Sequence, residues 1–147
     1  MEPCRTFYLK IAFKSRFIDY PEMLRYTKIM SNRIASLALV ALREALKVPH
    51  QHRHGALVLA SGGRVLAKGC NDYQKGKHAE ISALNKVPHD AKGSVEELIV
   101  VRARRDKANG PFALSKPCPQ CQKAMKEAGV KTVRYSVDGE IIATEYY

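Results

Sequence analysis

Two cysteines and a histidine carry most of the chemistry this sequence can do. Cys118 and Cys121 stand three apart in the stretch Ser115-Lys116-Pro117-Cys118-Pro119-Gln120-Cys121. Prolines at 117 and 119 suit a helix start, where a missing N–H costs nothing. A helix opening near Cys118 sets both thiols on one face of its first turn. The positive end of that helix should favour thiolates and lower both thiol pKa values. Two thiolates so spaced make a metal hook or a redox pair. Upstream, His78-Ala79-Glu80 adds an imidazole as a third ligand. Glu80 lies too close in sequence to His78 to be an obvious fourth. Three protein ligands with an open fourth position are the arrangement of a catalytic zinc, whose water ionises near neutral pH. Glu80 is then placed to handle protons beside the metal.

His-x-Glu followed by Pro-Cys-x-x-Cys resembles the signature of the zinc-dependent cytidine and deoxycytidylate deaminase superfamily, with all five signature residues present and in order. The resemblance covers about residues 50–147. It implies hydrolytic deamination of a nucleobase, cytosine to uracil in a free nucleoside or nucleotide of the cytidine, deoxycytidine or dCMP type. In that chemistry His78, Cys118 and Cys121 hold Zn²⁺, a zinc-bound hydroxide attacks C4, and Glu80 passes the water's proton to N3 and then helps protonate the departing amine. The resemblance also implies that the Ala79 backbone N–H binds the base carbonyl and that Asn71, in Gly69-x-Asn71, contacts the sugar. Ser115, just before the zinc loop, is a candidate for lining the pocket. Members of the family are usually dimers or tetramers, so a homo-oligomer is expected.

Three other readings compete. Cys70 as a fourth ligand would close the zinc site and make this a non-catalytic binding module. Cys118 and Cys121 as a dithiol redox pair would leave Glu80 without a role. A polynucleotide deaminase acting on tRNA or single-stranded DNA would use the net charge of +11 and pI near 9.7. Arg102, Arg104, Arg105 and Lys107 lie near its expected site mouth. Salt dependence separates that last reading from a free nucleoside substrate.

The rest of the chain has to position these residues. Its 147 residues fit a single deaminase domain. Residues 1–20 read as a basic, aromatic arm with a short strand around Leu9, Ile11 and Phe13. Residues 21–48 read as a first, amphipathic helix, stopped by Pro49. The zinc-binding core spans 50–147. His50-Gln51-His52-Arg53-His54 has the look of a metal tract, but with no acidic or cysteine partner nearby it reads as a solvated loop or a connection entering a strand. Residues 55–60 and 65–69 read as a hairpin, and 78–87 as a helix ended by Pro88. Leu98-Ile99-Val100-Val101 reads as a strand buried on both faces. Residues 118–128 form a further helix capped by Gly129, and 131–136 a strand. The tight turn Val137-Asp138-Gly139-Glu140 forces the last two strands to be antiparallel, because a parallel pair needs a long crossover.

The expected architecture is α/β: a three-layer α/β/α fold of the cytidine deaminase type, with a mixed sheet of about five strands. No apolar run is long enough to cross a membrane, the N-terminus lacks a signal-peptide pattern, and the four cysteines are few. A cytoplasmic, reducing setting is expected.

Overall fold

The computed structural model describes residues 7–10, 32–72, 74–105, 110–139 and 141–147. The expected helix start at Pro21, the aromatics Phe13, Phe17 and Tyr20, and Lys107 lie outside these residues.

In chain order the elements are β1 (Phe7–Lys10), α1 (Asn32–Ala45), β2 (His54–Ala60), β3 (Val65–Cys70), α2 (Ala79–Asn85), β4 (Val95–Ala103), β5 (Phe112–Ala113), α3 (Pro119–Glu127), β6 (Thr132–Ser136) and β7 (Ile141–Tyr146). Short 3-10 turns occupy Ser61–Gly63 and His89–Ser94. The sheet is mixed and runs β1-β7-β6-β4-β2-β3, with β5 paired to β4. β4 and β6 are parallel and the other pairs antiparallel. β6 and β7 pair as the tight turn requires. The sheet is larger than the five strands expected, because β1 extends it beyond β7 and the two-residue β5 joins β4.

Strand alternation sorts the core onto two faces. Leu57 and Leu59 of β2, with Ile99 and Val101 of β4, face α1 through Ala35, Ala38 and Ala41. Ala56 and Val58, with Leu98 and Val100, face the other way, onto Ala79 and Ala83 of α2 and Cys121 and Met125 of α3. The result is the three-layer arrangement, with β4 buried on both sides as its apolar run dictates.

Glycine lets helices lie directly on strands at two places. A Cβ on Gly55 of β2 would sit 2.0 Å from the Ala41 carbonyl oxygen of α1. A Cβ on Gly69 of β3 would sit 2.5 Å from the Ala83 backbone nitrogen of α2. The second contact matters for function, since α2 follows directly on His78. At its far end α3 closes as expected: Gly129 has φ 93°, and the Val130 N–H donates to the Met125 carbonyl at 3.0 Å.

The close approach at residue 69 generates a prediction. Gly69→Ala forces α2 away from β3 and should cost about 1–3 kcal/mol in a denaturant titration. It should also weaken zinc retention, because His78 moves with α2. Gly93→Ala, where a Cβ meets nothing within 4 Å, should change stability by less than about 0.5 kcal/mol and leave zinc in place.

Candidate metal centre

His78 and Cys118 occupy matching positions. Each precedes a helix with extended backbone, φ −74° and ψ 154° for His78 before α2, φ −70° and ψ 161° for Cys118 before α3. Neither spends its side chain on capping its helix, so both can turn toward a shared point. The helices therefore begin one residue later than the sequence pattern alone implies. Pro119 opens α3 at a position where its missing N–H is harmless.

His78 Nδ1 lies 3.6 Å from Cys118 Sγ and 3.3 Å from Cys121 Sγ. The three donor atoms fall within 4.8 Å of one another. A tetrahedral zinc with ordinary Zn–N and Zn–S bonds sets such N···S separations at roughly 3.6 Å. One imidazole and two thiolates are also a donor set that zinc prefers. The residues present thus fit the ion. Among the described residues the cluster has these three members, and Cys70, half-buried at the end of β3, is not one of them. Cys121 is buried, Cys118 half-buried and His78 exposed, so the cluster opens on the His78 side.

Glu80 sits on the first turn of α2, 6% exposed. Burial pushes its carboxyl pKa above the ordinary carboxylate value, against smaller opposing effects of its backbone hydrogen bond and of His78. For Cys121 the sequence expectation of a lowered thiol pKa does not hold in the metal-free chain. Burial, then the Glu80 charge, then the hydrogen bond and charge of Cys118 all push it up. A buried sulfur beside a carboxylate keeps its proton until a cation replaces it, and that outweighs the helix end.

The cluster opens into a cavity of about 370 Å³, a size suited to a small ligand. His78, Glu80 and Cys118 line it together with His52, His54 and Asn71. Asn71 reaches the cavity, but its amide also fastens the opposite wall. Its Oδ1 accepts the His54 backbone N–H at 2.8 Å, and its Nδ2 donates to the His52 carbonyl at 2.7 Å. Ala79 lines the cavity from the start of α2. Ser115 also borders it, yet its hydroxyl turns inward, donating to the Val100 carbonyl at 2.9 Å and accepting the Ser136 N–H at 3.1 Å. That pairing ties the segment before Cys118 to β4 and β6.

The histidine tract does enter a strand, since His54 is the first residue of β2. What the sequence reading missed is that His52 and His54 line the same cavity as the metal ligands. The signal was their alternate spacing, which places them on one face of an extended chain.

His54 gives the site a pH signature. Burial first, then Arg102 and the imidazoles of His78, His52 and His50, lower its pKa from 6.5 to about 4. In the unfolded chain the ring takes a proton near pH 6.5, so between about pH 4 and 6.5 the unfolded state binds more protons than the folded one. Stability should therefore be full above that window and fall as the solution is acidified through it. His54→Gln in metal-free protein should remove roughly 2 kcal/mol of the loss between pH 7 and pH 4.5. Denaturant midpoints across that range provide the check, and parallel curves for both proteins would contradict it.

Comparison with known proteins agrees with this geometry. Residues 30–137 match the family model described as the cytidine and deoxycytidylate deaminase zinc-binding region. No curated protein sequence matches the chain. Among solved structures, a cytidine deaminase from Mycobacterium tuberculosis is 23% identical, with 68% of this chain and 83% of that one covered and a TM-score of 0.46. RibD from Acinetobacter baumannii is 19% identical over 69% of this chain and 26% of that one, with a TM-score of 0.43. Likeness at that level carries no weight of its own; the family match spans well over half of the chain and does. The chain belongs to the zinc-binding cytidine and deoxycytidylate deaminase family, and is a zinc-dependent hydrolase of the deaminase class.

Proposed function

We propose that the chain deaminates cytosine to uracil in a free nucleoside or nucleotide, with His78, Cys118 and Cys121 holding the zinc and Glu80 moving the protons. The observation that carries this reading is the convergence of the three donor atoms beside a buried carboxyl, at a cavity with one open side. Bound there, Zn²⁺ supplies a water acidified enough to react near neutral pH.

The remaining work falls to the chain's own groups. Glu80 takes a proton from the attacking water and delivers it to N3 as C4 becomes tetrahedral. It then takes the second proton from the new hydroxyl on C4 and passes it to the exocyclic nitrogen, the C4–N bond breaks, the C4 carbonyl forms and ammonia leaves. One water enters, one ammonia departs, and the ring gains a carbonyl at C4. Glu80's burial suits it to carry the proton in between. The Ala79 N–H is available to the base carbonyl, and Asn71 to the sugar through the lone pair and N–H that its wall contacts leave over. Ser115 acts on the site through its inward hydrogen bonds, by fixing the segment before Cys118.

Ammonia release across cytidine, deoxycytidine, their monophosphates, adenosine and guanine tests the reading, which requires the cytosine compounds to be turned over and the purines not. Glu80→Ala should keep one zinc per chain and lose about a hundredfold to ten-thousandfold in kcat/KM. Undiminished turnover in that variant would remove Glu80 from the mechanism. Cys118→Ser should lose both metal and activity, whereas Cys70→Ser should keep both. Loss of zinc from the Cys70 variant would instead point to a closed structural site.

A further inference from the structure

A second cavity, of about 360 Å³, abuts the metal cavity, and His52 lines both. Arg102, Arg104 and Arg105 line this second space, and no carboxylate among the described residues does. The contrast with its neighbour is chemical. The metal cavity carries both signs in its wall, Glu80 and Asp72 together with Lys77 and Lys116, while the charged groups of the adjoining one are all guanidinium groups.

The shared wall is built to link them. One guanidinium nitrogen of Arg102 lies 3.0 Å from His52 Nδ1. Arginine can only donate, so His52 accepts at Nδ1 and carries its proton on Nε2, leaving a second donor at the boundary. Arg102 makes no salt bridge with a carboxylate among the described residues, whereas Arg104 is paired with Asp138. The Arg102 charge is also felt across the wall at His54. Arg105 is exposed at the rim. A guanidinium fork, a neutral imidazole N–H and a further cation match the oxygens of a phosphate group.

We propose that this arginine-lined cavity is a phosphate subsite, and that the substrate reaches the metal cavity with a phosphate attached. This rests on the deaminase reading above and narrows it. The base lies against Glu80, the sugar passes His52, His54 and Asn71, and the phosphate enters the second cavity. The phosphate belongs to a nucleotide monoester or to the backbone of a single-stranded polynucleotide.

Calorimetric titration of the full, zinc-loaded chain tests this with cytidine, cytidine 5′-monophosphate and a short single-stranded oligodeoxynucleotide containing one cytosine. At least one phosphorylated ligand should bind about tenfold or more tightly than cytidine. Arg102→Gln should collapse that ratio toward one, and Arg105→Gln, at an exposed position where folding is not at stake, should reduce it severalfold. A ratio near one in the parent chain, or a ratio untouched in both variants, would overturn the subsite. Salt separates the two sources: a monoester preference weakens shallowly with salt, a polynucleotide preference steeply. Ammonia release from the same samples keeps the two readings apart. A phosphate preference without turnover of any ligand would sink deamination and leave the subsite standing. Turnover of cytidine with no phosphate preference would sink the subsite alone.

Discussion

Two helix starts must meet over one face of a sheet, and everything at this site depends on that meeting. His78 comes before α2, which follows β3; Cys118 comes before α3, which follows β5. Both helices lie on the same face of the sheet, packed on Ala56, Val58, Leu98 and Val100. Backbone contact at Gly69 fixes how closely α2 can lie. The buried Ser115 and Ser136 hydroxyls, 2.8 Å apart, fix the approach to Cys118. Cys121 is itself 1% exposed and part of the core. A ligand rooted in packed side chains cannot drift, which suits a centre whose geometry sets its reactivity.

Electrostatics then divide the surface into two kinds of space. Around the ligands, burial raises the Glu80 carboxyl, and burial with the Glu80 charge raises the Cys121 thiol, so a cation entering the cluster displaces a proton from sulfur. Beyond His52 the mixed charges of the metal cavity give way to arginines alone. A net charge of +11 would by itself argue nothing about a ligand. The three arginines on the wall beyond His52 give a part of it direction.

How much of this could be read from the chain follows from how local each cause is. The cluster of His78, Cys118 and Cys121 was legible because the two cysteines stand three apart at one helix start and His78 stands at another, with Pro119 and Pro88 marking boundaries. The buried strand at Leu98–Val101 and the antiparallel end at β6 and β7 were legible from an apolar run and a turn too short for a crossover. Three features were not. β5 exists because Phe112 and Ala113 pair with Ala103 and Arg102 of β4, partners set by tertiary structure. The inward turn of the Ser115 hydroxyl needs Ser136 beneath it. The raised proton affinity of Cys121 reflects burial, which overrides the helix end that local sequence reveals. His52 and His54 are an intermediate case: their shared face was visible, but which way it pointed was not.

The central claim is that one nitrogen and two sulfurs hold an ion whose fourth position stays open to solvent. Zinc X-ray absorption on the loaded chain tests it directly, because scattering from sulfur and from light atoms is distinguishable in the first shell. The account predicts two sulfurs, one imidazole nitrogen and one further light atom from water. A shell with three sulfurs, or with a second imidazole in the fourth position, would contradict it.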